Sequence, residues 1–130
     1  MARFLLVLKP LHPATRGKDQ QSQRDLLARL DPVLLALKAD VDHRTTAHLG
    51  ALLREIGENQ RMQLFADVQS KPEGLALELV LMSSESMGVG APETRSAFEH
   101  LVQLSTEYLP DLELVFRSDQ DGALPSPATK

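Results

Sequence analysis

The sequence predicts an α+β domain of the ferredoxin-like class. Three observations predict it. Four short runs, residues 4–8, 62–68, 75–82 and 112–117, alternate apolar and other residues at period two. Helical patterns fill the intervals after the first and third runs, and only a tight turn joins the second to the third. The resulting order, βα(α)ββαβ, gives a four-stranded antiparallel sheet with an extra helix in the first crossover. Its first and third strands are central, and these two runs are the most apolar.

In the first run Phe4, Leu6 and Leu8 share one face. The stretch from Lys9 to Lys18 holds two prolines and a glycine and reads as a loop. The first run is also too short before Lys9 and Pro10 for the apolar region of a secretion signal. From Gln20 the pattern becomes helical, with Leu26, Leu30, Val33, Leu34 and Leu37 on one stripe. Pro32 has no N–H to donate and breaks the stripe. Asp31 and Pro32 suit the cap and first position of a second helix.

A second break is expected at Asp40, Val41 and Asp42. Thr45, Leu49, Leu52, Leu53 and Ile56 then predict a third helix over residues 43–57, near whose end stands Gly57. Lys71, Pro72, Glu73 and Gly74 form the turn between the second and third strands, with a three-residue loop and a bulge favoured. The last helix starts at Pro92, buries Ala97, Phe98, Leu101, Leu104, Ser105 and Tyr108, and stops before Pro110. Residues 1–117 make one domain. Residues 118–130 offer nothing to bury and read as a disordered tail.

Parity along the strands singles out one surface. The covered face takes Phe4, Leu6, Leu8, Leu64, Leu79, Leu114 and Phe116 among others. The opposite face carries Leu5, Val7, Phe65, Val80, Met82 and Val115 among its charges. A half-apolar second face implies a partner, a ligand or another layer over it.

The same face holds Asp67 and Glu78. If the hairpin pairs residues whose numbers sum to 145, these two stand directly opposite, and like charges so placed repel. A bulged turn would shift that register by one. His43 and His48, beside or within the third helix, are five residues apart, whereas metal-binding histidines on a helix sit three or four apart. His12 lies between two prolines with no nucleophile or orienting partner in view. The stretch from Ser83 to Ala91 is rich in Ser and Gly and enters a helix, but Glu85 and Glu93 oppose an anion there. It is retained as a partner-binding loop through Glu85 and Met87.

Composition bounds the function. The chain is 130 residues long, 42% hydrophobic and 25% charged, with a net charge of −4. That charge works against a grip on nucleic acid or anionic lipid. Aromatic residues make up only 4%, too few for a base-stacking sheet. There is no cysteine, so thiolate ligands and disulfides are excluded. No apolar run is long enough to span a membrane, and the expected location is cytoplasmic.

No triad, metal-ligand spacing or cofactor motif is present. The expectation is a non-catalytic protein, dimeric or partner-bound, acting by protein–protein interaction. A stoichiometric inhibitor such as a toxin-neutralising immunity protein fits that description. The partner surface comprises Leu5, Val7, Phe65, Asp67, Glu78, Val80 and Val115, with Glu85 and Met87. The alternative is a small dimeric enzyme or ligand-binding protein with a pocket on the uncovered sheet face.

Overall fold

The computed structural model describes residues 2–10, 20–53, 62–72, 74–85 and 90–118. The expectations for His12, Met87 and residues 119–130 fall outside them. The element order is β1 (Ala2–Pro10), α1 (Gln20–Ala28), α2 (Asp31–Leu37), β2 (Ala39–Arg44), β3 (His48–Leu53), β4 (Met62–Lys71), β5 (Gly74–Ser83), α3 (Pro92–Tyr108) and β6 (Leu112–Arg117).

The strands form one six-stranded antiparallel sheet in the order β2-β3-β4-β5-β1-β6. This corrects the four-stranded ferredoxin-like expectation. The four strands expected from the sequence occupy β4-β5-β1-β6, with the first and third of them central. Among the described residues the extra helix is absent. In its place residues 39–53 form the hairpin β2–β3, which extends the sheet beyond β4.

The physical reason lies in the burial of β3. Leu49, Ala51 and Leu53 are buried while His48 and Leu52 are only partly so. Leu49 and Leu53 satisfy a helical stripe as well as a strand, and short apolar runs do not distinguish the two. The unpaired edge of β4 supplies hydrogen-bond partners that settle the choice. Asp40 and Asp42 are strand residues on an exposed edge, where charge discourages pairing with another chain. The hairpin closes with Thr45 N–H donating to the His48 carbonyl at 2.7 Å.

All three helices lie on one face. Phe4, Leu6, Leu64, Leu77, Leu79 and Leu81 are each at most 1% exposed beneath them. α1 packs on β4 and β5, and α3 packs on β1 and β5. The predicted stripe is buried through Leu26, Leu30, Val33 and Leu34, joined by Leu27. Pro32 does open a second helix, but Leu30 rather than Asp31 holds the cap position, without a side-chain cap bond. Asp31 instead pairs with Arg44 at 2.8 Å and ties α2 to β2. Arg29 makes a two-pronged ion pair with Asp111, tying α1 to the turn before β6.

α3 begins at Pro92 as expected, yet Tyr108 at its end is exposed. Its N-terminus is capped from a distance. The Glu85 carboxylate accepts hydrogen bonds from the N–H groups of Glu93 (3.0 Å) and Thr94 (2.7 Å) and from the Thr94 hydroxyl (2.6 Å). Ser83 Oγ lies 2.6 Å from Thr94 Oγ1 and accepts the Glu85 N–H at 3.0 Å. The Thr94 proton is used on Glu85, so the Ser83 hydroxyl donates to Thr94. The ring of bonds is closed.

Lys71 pairs with Gly74, leaving only residues 72 and 73 between the strands. The hairpin therefore lacks the favoured bulge. A bulge occurs instead in the β1–β6 pair, where Val7 and Leu8 face Phe116 and Leu114 and leave Val115 unmatched. Leu112 and Leu114 keep the expected side, and the parity of β6 is inverted beyond the bulge. Phe116 joins the side of Val7, not the covered face. Ser118, assigned to the tail from sequence, is part of this ladder: its N–H and Oγ bond Leu5 O and N–H at 2.9 and 2.8 Å. Among the described residues no helix is long and apolar enough to cross a membrane.

Candidate functional site: the uncovered sheet face

The face away from the helices is ordered in rows by strand register. Leu5 stands opposite Val80, Val80 opposite Phe65, and Phe65 opposite Gly50. One row along, Val7, Glu78, Asp67 and His48 follow one another across four strands. The row on the other side holds Arg3, Met82, Gln63 and Leu52. Six of the sequence-predicted residues, Leu5, Val7, Phe65, Asp67, Glu78 and Val80, thus share one surface. All six are half-buried, shaded by their neighbours in the sheet.

Two predicted positions fall elsewhere. Val115 is at the bulge of edge strand β6, 44% exposed, and Phe116 takes the place expected for it beside Val7. Glu85 is committed to capping α3. Met87 lies outside the described residues.

The register also settles the carboxylates. Asp67 and Glu78 are direct cross-strand neighbours, as the sum of 145 requires. Asp67 is engaged on its other side, with Oδ1 2.6 Å from His48 Nδ1. A carboxylate only accepts, so His48 carries a proton on Nδ1. The His48 ring stacks on His43 at a centroid distance of 4.9 Å and on Phe65 at 6.3 Å. His43 lies flat over Gly50, where a Cβ would come within 2.3 Å of the ring. Glycine at that one strand position makes room for the imidazole.

Sequence reasoning missed this histidine pair because it placed both residues on a helix. The visible signal was the alternation of Leu49, Ala51 and Leu53 with His48, Gly50 and Leu52. Chemically, a carboxylate-oriented imidazole has the geometry of a general base. Yet the side chains it touches, Asp67, His43 and Phe65, include no hydroxyl or thiol nucleophile, and the pair sits on the face of a sheet. Among the described residues no three His, Asp or Glu side chains are grouped to hold a metal ion.

A shallow groove lies elsewhere, between the end of α3 and β6, lined by Leu8, Ser105, Leu109, Leu112 and Leu114. Ser105 Oγ is buried there without a hydrogen-bond partner. A buried hydroxyl left unbonded costs free energy, and alanine is the better helix former. Ser105→Ala is therefore expected to raise stability by about 1 kcal/mol in urea denaturation. A loss of stability would show that the hydroxyl is satisfied.

No family model matches this chain, and no curated protein resembles it closely enough to count as a relative.

Proposed function

We propose that the protein acts by protein–protein interaction through the uncovered sheet face. One observation carries this reading: the row Leu5–Val80–Phe65, flanked by Val7, Met82 and Phe116, has no described helix over it. An antiparallel sheet that meets only water on one side is polar there, whereas this one is apolar through its central strands. The charged side chains are set around that row rather than within it, an apolar centre with a polar rim.

Stoichiometric inhibition of another protein, or pairing with a second copy of the chain, asks least of such a surface. Occlusion needs shape and burial but no reacting groups. The pocket-bearing enzyme would need a concavity on this face. The groove at α3 and β6 is on a different part of the molecule, and the His48–Asp67 pair sits on an open sheet.

The test places a photoreactive benzoylphenylalanine at Phe65 and irradiates cells expressing the protein. The expected result is a discrete cross-linked adduct. Val80→Asp would put an unpaired charge in the centre of the contact and weaken association about 100-fold, abolishing the adduct. The chain itself should remain folded by circular dichroism, because position 80 lies outside the buried core, on the sheet face away from the helices. Absence of any adduct, or an adduct indifferent to Val80→Asp, would overturn the reading.

A further inference from the structure

The charges bordering the uncovered face are arranged so that the face complements itself. We infer that its partner is a second copy of the chain, packed sheet to sheet about a two-fold axis along the Leu5–Val80 row. This rests on the reading of that face as an interface.

The argument comes from the β1–β5 register. Arg3 stands opposite Met82, Leu5 opposite Val80, and Val7 opposite Glu78. Arg3 and Glu78 therefore lie on adjacent strands, each one row from Leu5–Val80, on opposite sides of it. Rows two residues apart are about 7 Å apart along the strands. A two-fold axis along the middle row, lying between facing sheets, reverses strand direction and exchanges the outer rows. Leu5 and Val80 then meet their own counterparts. Arg3 of one copy comes over Val7 of the other, one strand spacing from Glu78.

Sheets packed face to face are about 10 Å apart, a gap that an extended arginine largely spans. Two symmetric Arg3–Glu78 pairs result, one on each side of the apolar row. Both residues need such a partner. Glu78 faces the like charge of Asp67 directly across the strand pair, and Asp67 is already bonded to His48. Among the described residues no ion pair or side-chain hydrogen bond reaches the Arg3 guanidinium or the Glu78 carboxylate. The chain thus presents an unanswered cation and an unanswered anion at mirrored positions on one apolar surface.

Sedimentation equilibrium of the purified full chain tests this directly. The wild type should be a dimer whose dissociation constant rises with salt. Arg3→Glu and Glu78→Arg should each weaken the dimer about tenfold, because each creates two like-charge contacts. The double variant should recover to within about threefold of wild type, since it restores both pairs with the signs exchanged. Arg3→Lys, which keeps the charge, should remain dimeric. A monomer at every attainable concentration, or a dimer indifferent to either reversal, would overturn the inference. In that event a cross-link from position 65 to a chain of different mass leaves the interface reading standing, and loss of that cross-link removes both.

Discussion

Replacing Phe98 with alanine will destabilise the protein by about 3–5 kcal/mol. Phe98 is fully buried on α3, and its ring stacks on that of Phe4 in β1 at a centroid distance of 5.3 Å. The guanidinium of Arg95, one turn earlier, lies 5.5 Å from the same Phe4 ring. Phe4 is thus held by two residues of one helix, and α3 is the cover over the adjacent strands β5 and β1. Truncation removes a ring's worth of buried apolar surface and leaves a cavity between helix and sheet. Against a typical total of about 5–15 kcal/mol, that brings the domain near the edge of folding. Leu35→Ala on α2 is the matched control. Leu35 is 80% exposed and its loss should cost no more than about 0.5 kcal/mol. Urea denaturation of both variants gives the comparison, and a cost below about 1.5 kcal/mol at Phe98 would contradict the packing of α3 described above.

The second large effect is expected at Thr94, which has no exposed surface and sits within the ring of bonds at the start of α3. Thr94→Val keeps the shape but removes the hydroxyl. The Ser83 hydroxyl is then left buried without an acceptor, at about 1–3 kcal/mol. Glu85 adds a pH dependence. Desolvation beside the β5–α3 connection pushes its carboxyl up, but the hydrogen bonds from the Thr94 hydroxyl and from the N–H groups of Glu93 and Thr94 together outweigh it. Its pKa in the folded protein therefore lies below the ordinary value of 4.5. A depressed carboxyl stabilises the fold above its unfolded pKa, and that contribution is lost as pH falls through the folded value. Glu85→Gln should accordingly lower the melting temperature at pH 7, with the difference from wild type shrinking below pH 4.5. A difference that persists unchanged in acid would mean that the charge of Glu85 contributes nothing.

The strands were legible where alternation ran long enough to have only one period. Phe4, Leu6 and Leu8 against Leu5 and Val7, or Leu64 and Ala66 against Phe65 and Asp67, admit no helical reading. From them the uncovered face and most of its residues followed. The hairpin of β2 and β3 was not legible, because five or six residues such as those from His48 to Leu53 satisfy both periods. The decision belongs to the free edge of β4, which local sequence does not display. The β6 bulge is hidden for a related reason. One extra residue is visible only against a partner strand, so Phe116 changed its expected face and Val115 became the unmatched residue of the bulge. The Glu85 cap escaped because its donors lie eight and nine residues further along the chain. A cap read from sequence sits beside the helix it serves.

The place of β1 in the sheet has a consequence for how the protein is made. β1 precedes every other strand in the chain but pairs only with β5 and β6. The strands from β2 to β5 each pair with a neighbour in sequence and can zip together as hairpins while synthesis continues. During that time Phe4, Leu6 and Leu8 emerge from the ribosome with no partner and no helix to cover them. That apolar strand therefore stays unpaired until β5 emerges, the interval in which a nascent chain is most exposed to wrong association.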